Sequence, residues 1–107
     1  MNDPDGTFRT ALRIEPGHPA MAGHFPGHPV VPGVVVLERV AAAMRMWRHL
    51  GVEKLDAKFV QPLLPGEDAV IELRANGART CFTVARADGA VLARGSFGPA
   101  GIGRPER

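Results

Sequence analysis

The stretch that decides the fold spans residues 23–38 and reads Gly-His-Phe-Pro-Gly-His-Pro-Val-Val-Pro-Gly-Val-Val-Val-Leu-Glu. Its first part, residues 23–33, contains three prolines, three glycines and two histidines. Proline fixes φ, and glycine admits backbone angles that other residues avoid, so this part predicts a rigid, shaped loop. The second part is an apolar run that ends in one acid, Glu38, and it predicts a buried element. A histidine on a rigid loop and a carboxylate on a buried helix are typical of an acid–base pair.

The apolar run predicts a helix over residues 33–50. Pro32 sits where a first-turn proline is tolerated, and Gly51 suits the left-handed position just beyond the last turn. The first three turns are apolar on nearly every side, which is typical of a core helix covered on most faces. The successive valines at 34–36 are poor helix formers, so a buried strand beginning at Val34 is the competing interpretation. The length of the segment before the next glycine favours the helix.

Alternating apolar and polar residues predict strands on either side of this helix. The predicted strands cover residues 7–14, 55–60, 69–74, 79–86 and 91–97, with turns at Pro65-Gly66, Asn76-Gly77 and Asp88-Gly89. The last four strands are expected to form an antiparallel meander. The sequence therefore predicts an α+β fold in which one antiparallel sheet wraps around one long central helix. Residues 1–107 are expected to form a single domain with flexible ends at 1–6 and 98–107.

The composition limits the class of protein. The chain has 107 residues and a formal net charge of +2, and its charges are scattered, which disfavours nucleic acid as a partner. The polar first ten residues do not resemble a signal peptide, and no apolar run approaches the roughly 20 residues of a membrane span. Cys81 is the single cysteine, so no internal disulfide forms and a reducing, cytoplasmic compartment is expected. The four histidines lack the tight spacing of metal ligands, so no metal is expected.

Three residues of the 23–38 stretch have the chemistry of a catalytic site. Glu38 has apolar neighbours one turn away on both sides, and desolvation there favours a protonated carboxyl that can donate to a leaving hydroxyl. The alternatives for Glu38 are escape to solvent between subunits and pairing with Arg39. His24 can act as a base near neutral pH, but a structural or solvated role is also open, and His28 can share the catalytic one. The N–H of Gly33, at the helix N-terminus, can polarise a thioester carbonyl.

These residues resemble the motif of a known family. The run at 23–29, followed by Pro32-Gly33-Val34 and Glu38, resembles the motif of the 3-hydroxyacyl-acyl carrier protein dehydratases of fatty acid synthesis, which have the hotdog fold. The segment at 58–67, Lys-Phe-Val-Gln-Pro-Leu-Leu-Pro-Gly-Glu, resembles a later strand and turn of the same family. The similarity extends over residues 6–97, and the spacing of His24 and Glu38 matches the family's catalytic pair.

The resemblance implies a hydro-lyase that converts a 3-hydroxyacyl thioester, held on acyl carrier protein, into the trans-2-enoyl thioester. His24 then takes the C2 proton, Glu38 helps to expel the hydroxyl directly or through water, and the Gly33 N–H binds the thioester oxygen. The further substrate-binding residues under this resemblance are Phe25, Pro32 and Val34. The catalytic pair comes from opposite protomers of a homodimer, or of a higher oligomer of dimers. No metal or organic cofactor is needed, and the acidic carrier protein suits the surface arginines.

The chain departs from the family's pattern in three respects. It lacks the usual N-terminal segment with a Pro-His-Arg motif, it has Ala42 in place of a glutamine, and it contains no tyrosine to gate the acyl tunnel. It therefore resembles short, divergent members, which occur in specialised pathways such as aryl polyene synthesis. Both fatty acid synthesis and polyene or polyketide-type synthesis stay open, as do two other functions. These are an acyl-thioester hydrolase that uses Glu38, and a catalytically silent hotdog subunit that completes another dehydratase.

Overall fold

The elements of the chain follow the order strand, helix and four strands. The computed structural model describes residues 6–21 and 29–100. Its strands are β1 (Thr7–Leu12), β2 (Gly51–Phe59), β3 (Ala69–Asn76), β4 (Arg79–Arg86) and β5 (Val91–Ala100), and its long helix is α1 (Gly33–Arg48). A 3₁₀ turn at Pro19–Met21 lies between β1 and α1. The flexible ends were predicted at 1–6 and 98–107, of which 1–5 and 101–107 lie outside the described residues. Residues 98–100 belong instead to β5, which continues three residues beyond its predicted end at Phe97.

Helix α1 begins at Gly33 as predicted, but it ends at Arg48 rather than at Leu50. His49 has φ 60° and takes the left-handed position that was predicted for Gly51, and its N–H donates to Arg45 O at 2.9 Å. This bond closes the last turn early, so Gly51 starts β2 instead. Neither α1 nor any other helix within residues 6–21 and 29–100 has the combined length and apolar character that a membrane span requires.

The sheet has the strand order β1-β3-β4-β5-β2, and each neighbouring pair is antiparallel. Strands β3, β4 and β5 form the predicted meander, with Gly77 (φ 64°) and Gly89 (φ 94°) in the connecting turns. The predicted meander of four strands is wrong for β2, which pairs with β5 at the sheet edge. Residues 60–68, hereafter the crossover segment, do not form a hairpin. They lead from this edge past β5 and β4 to β3, so β2 and β3 do not pair.

Helix α1 packs on one face of the sheet. The buried side of the helix consists of Val35, Val36, Val40, Ala43 and Met44, which join inward-facing strand residues in one core. The other side is open, since Val34 is 63% exposed and Glu38 is exposed too. The prediction of a helix covered on most faces is therefore wrong within a single chain. A single sheet covers only one side of a helix, and residues 6–21 and 29–100 supply no second layer for the apolar residues on the other side.

A bulge brings β2 close to β5. The register shifts between Glu53 and Asp56, and Lys54 adopts φ 52°. Gly95 lies opposite, where an added Cβ would meet the backbone oxygen of Asp56 and would lie 2.8 Å from Phe82 Cε2. Position 95 therefore requires glycine, because the backbone of the bulged strand occupies the space of a side chain.

Candidate active site

The N-terminus of α1 is formed by Pro32 and Gly33. Pro32 has φ −58° and ψ 140° and supplies no side-chain cap. Its carbonyl oxygen accepts the N–H groups of Val35 and Val36, at 3.0 and 3.4 Å. The N–H groups of Gly33 and Val34 precede these bonds and have no acceptor among the described residues. They lie at the positive end of the helix dipole, where they can donate to an oxygen that gains negative charge.

A pocket of about 340 Å³ opens beside Gly33. Its exposed mouth is formed by the end of β2 and the start of the crossover segment, at Phe59, Val60 and Gln61. Gln61 has the one polar side chain among the described residues that line it. The interior consists of buried apolar side chains: Val31, Val36, Leu63, Val84, Leu92 and Ala93. Such a pocket suits an apolar chain whose polar end stays near the mouth.

The ring of Phe59 lies directly against Gly33. A Cβ added at position 33 would lie 2.9 Å from Phe59 Cζ and 3.2 and 3.3 Å from the two Cε atoms. The ring is 48% exposed, so it has room to turn toward solvent. Glycine at 33 therefore lets an aromatic wall approach the helix N-terminus at the mouth of the pocket.

Glu38 does not face this pocket within one chain. It is exposed, and it is absent from the pocket lining. Five residues of helix separate it from Gly33, which turns its side chain about 140° around the axis. It instead shares the open face of α1 with Val34, one turn earlier. The desolvated environment predicted for Glu38 is therefore not provided by its own chain.

The structure describes only some of the other predicted site residues. His24, His28 and Phe25 lie outside the described residues, so the pairing of His24 with Glu38 stays a prediction. Pro32 and Val34 flank Gly33 at the helix N-terminus, but neither lines the pocket, so their contacts with substrate stay a prediction. Within the described ranges, no group of three or more His, Cys, Asp or Glu side chains is arranged to hold a metal ion.

Sequence reasoning missed most of the pocket. Its lining comes from the loop before α1, the helix, β2, the crossover segment, β4 and β5, and contacts between such distant segments leave no local pattern. The one available signal was the segment at 58–67, whose resemblance to the family includes Phe59 and Gln61. That resemblance predicts a strand and a turn there, but it implies no role for either side chain.

The outer face of the sheet carries a cationic pair. Lys58 and Arg94 are register partners across β2 and β5, and both are exposed in an open groove. Arg9 and Arg74, further along this face, pair with Glu72 at 2.6 and 3.4 Å. Among residues 6–21 and 29–100, no acid forms an ion pair with Lys58 or Arg94. Like charges directly opposed across a sheet are unfavourable, so an anionic partner would stabilise this pair.

Comparisons with known proteins agree with this architecture. The profile of a family described as ApeI-like, ApeI dehydratase, matches residues 1–96. The 3-hydroxyacyl-[acyl-carrier-protein] dehydratase FabZ of Klebsiella pneumoniae is 31% identical over 105 residues, which cover 82% of this chain and 70% of that protein. The dehydratase heterocomplex ApeI:P from Xenorhabdus doucetiae superposes with a TM-score of 0.78 at 19% identity, covering 91% of this chain and 89% of that one. The (R)-hydratase from A. caviae has a TM-score of 0.72 at 13% identity, with coverages of 88% and 92%. The predicted hotdog fold is confirmed.

Proposed function

The chain belongs to the ApeI-like dehydratase family, and we propose that it removes water from a 3-hydroxyacyl thioester on an acyl carrier protein. The product is the trans-2-enoyl thioester. The observation that carries the proposal is the apolar pocket beside the uncapped N-terminus of α1. The pocket offers space for an acyl chain, and the Gly33 N–H offers a donor to the thioester oxygen.

The proposed step breaks the C2–H and C3–O bonds and forms the C2=C3 double bond. His24 accepts the C2 proton, and the electrons of that bond form the double bond. The hydroxyl leaves C3 with the C–O electron pair and takes a proton from Glu38, directly or through water, so that it departs as water. The Gly33 N–H stabilises negative charge on the thioester oxygen during the transfer. The proton on His24 returns to Glu38 through solvent before the next turnover.

This arrangement is proposed to need two protomers. Glu38 points to the face of α1 that its own sheet leaves open, while the pocket lies on the other side of the helix. A carboxyl on the open face is better placed to serve the pocket of a second protomer. The exposed apolar side chains of Val34 and Phe59 support the same conclusion, because a partner would bury them. The protein is thus proposed to be a homodimer or an oligomer of dimers, with His24 and Glu38 from opposite protomers.

The positive charge on the outer face of the sheet supports an acyl carrier protein as the partner. The open groove on the outer face contains Lys58 and Arg94 without an acidic partner in the described part of the chain. An acidic carrier protein provides carboxylates for such a site and would be attracted by it over several ångströms. We assign the docking of the carrier to this side of the sheet, next to the strand that ends in Phe59.

The test is turnover by the purified protein. A 3-hydroxyacyl thioester is added, and formation of the conjugated enoyl thioester is followed by its ultraviolet absorbance and by mass. His24→Ala and Glu38→Gln are each expected to abolish most turnover, since each removes one end of the proton transfer. Mixing the two inactive variants should restore activity, because mixed dimers contain one intact site. Normal turnover by either variant would refute the proposed mechanism.

A second candidate is a catalytically silent subunit that completes a different dehydratase. A dehydratase heterocomplex, ApeI:P, is among the proteins to which this chain is structurally similar, which supports considering a partner of a different kind. Ala42, which stands in place of the family's glutamine, motivates this alternative. Turnover by the isolated chain excludes it, whereas turnover only beside a second hotdog subunit supports it. The hydrolase alternative is distinguished in the same assay, because hydrolysis releases a free thiol and dehydration does not.

A further inference from the structure

The crossover segment, residues 60–68, forms one wall of the pocket. It contributes Val60 and Gln61 at the mouth and Leu63 in the interior. Backbone hydrogen bonds hold this segment at three places. The N–H groups of Val60 and Gln61 donate to Leu92 O at 2.7 and 3.2 Å, Leu63 O accepts Val31 N–H at 2.8 Å, and Gly66 N–H donates to Ile14 O at 2.8 Å.

Two side chains add a further restraint, and they form one connected unit. Nη2 of Arg86, the last residue of β4, donates to Pro62 O at 3.2 Å, and its Nε lies 3.3 Å from Glu67 Oε2. This second contact lacks hydrogen-bond geometry, so it acts through charge. The other oxygen of Glu67, Oε1, accepts the Leu64 N–H at 3.0 Å. The side chains are 24% and 29% exposed, which leaves the pair less screened than an ion pair in open solvent.

This unit connects β4 to the helix N-terminus. Arg86 and Glu67 hold residues 62 and 64, on either side of Leu63. Leu63 in turn binds Val31, which lies two residues before Gly33 and also lines the pocket. A shift of Pro62 and Leu64 would therefore move the pocket wall and the chain that leads into α1 together. The other hydrogen bonds that hold residues 60–64 come from backbone groups, so these two side chains are where substitution can loosen the wall without changing the main chain.

We infer that Arg86 and Glu67 are positioning residues that set the depth of the acyl pocket and thereby select the length of the bound chain. The inference rests on the proposed function, in that the pocket takes an acyl chain. Loosening the pair lets the wall at Leu63 relax into or away from the interior, where the far end of a long chain would lie. A short chain held near Gly33 lies among the exposed residues of the mouth and contacts the buried side chain of Leu63 less than a long chain does.

Isothermal titration calorimetry on the intact protein tests this inference. The two unreactive probes are S-butyl pantetheine and S-decyl pantetheine. In Arg86→Lys the single ammonium cannot serve both Pro62 O and Glu67. In Glu67→Gln the amide oxygen still accepts Leu64 N–H, but the charge is lost. Each variant should bind the decyl probe about tenfold more weakly, comparable to one misplaced methylene contact. Binding of the butyl probe should change less than about twofold, and the double variant should resemble the single ones because the pair acts as a unit.

Arg13→Gln is the matched control. It removes exposed ion pairs to Glu15, at 2.9 Å, and to Asp68, at 3.1 Å, the latter at the end of the same segment but away from the pocket. Hydrogen exchange of the Leu64 and Val31 amides should be faster in the two test variants and unchanged in the control. Unchanged decyl binding, equal weakening of both probes, or additive effects in the double variant would each overturn the inference. If the unsubstituted protein binds neither probe, the acyl pocket itself is wrong, and enoyl formation by the same preparation shows whether the dehydratase proposal survives.

Discussion

Replacing Gly33 by proline removes the N–H group that is proposed to bind the thioester oxygen and adds a side chain next to Phe59. Proline is favoured at the first helical position, where its missing N–H has no partner within the helix and its fixed φ fits. It also restricts the residue before it to extended angles, and Pro32 already has ψ 140°. Gly33→Ala is the matched variant, because it adds the same Cβ but keeps the N–H.

The size of each effect follows from the contacts. The added Cβ of both variants would lie 2.9 Å from Phe59 Cζ, well inside the ordinary carbon contact of about 3.5–4.0 Å. The half-exposed ring can turn away, at about 0.5–1.5 kcal/mol for a strained rotamer. Removing one oxyanion donor lowers kcat by roughly a hundred- to a thousandfold, or about 2.7–4 kcal/mol. Since the neighbouring Val34 N–H remains, we expect Gly33→Pro to lie near the lower end, about a hundredfold below Gly33→Ala.

The assay is the steady-state rate of enoyl thioester formation, with kcat and KM determined separately for the two variants. Circular dichroism and thermal unfolding should be alike for both, since they share the contact with Phe59. The loss should fall on kcat rather than on KM, because the hydrogen bond strengthens as negative charge develops. If Gly33→Pro turns over within about threefold of Gly33→Ala, the Gly33 amide is not the oxyanion donor and the proposed orientation of the substrate is wrong.

Three further predictions concern packing, assembly and the carrier. Gly95→Ala should lower the free energy of unfolding by about 1–3 kcal/mol or more in urea titration. Gly98→Ala is the control and should leave the free energy of unfolding unchanged, because its Cβ would meet nothing closer than 3.9 Å. Equal urea midpoints for the two variants would contradict the tight approach of β2 to Gly95. Val34→Asp should weaken self-association by about 2–5 kcal/mol in analytical ultracentrifugation, while Val70→Asp on the outer sheet face should leave it intact; an unchanged dimer would place the interface elsewhere. Arg94→Glu should raise KM about tenfold for a carrier-bound substrate but leave KM for the pantetheine substrate unchanged, and equal effects on both would exclude docking there.

The parts of the fold that depend on local chemistry were predictable. Phe8 and Leu12 alternate with polar residues in β1 and are buried, and the Asn76-Gly77 and Asp88-Gly89 pairs mark the two hairpin turns of the meander. The position of β2 was not predictable in this way. Alternation identifies a strand and its faces, but it carries no information on which strand lies beside it. The crossover segment resembles a turn in sequence, and only the strand order, with its contacts to Val31 and Ile14, shows that it leads from β2 at one edge to β3 near the other edge.

The candidate site, like the fold, was predictable only where local chemistry decides it. Gly33 was identifiable because a Pro-Gly pair before an apolar run fixes where a helix starts, and the structure begins α1 at that residue. Glu38 was identifiable as unusual because its helical neighbours are apolar. The sequence does not show, however, whether those neighbours are covered by the sheet of the same chain or by another subunit. The structure separates two apolar sides of α1, one against the sheet and one, including Val34, in the open. A helix that is apolar all round and has only one sheet of its own needs a second covering layer. The apolar helix is therefore consistent with the proposed dimer, in which a second protomer would cover Val34 and enclose Glu38.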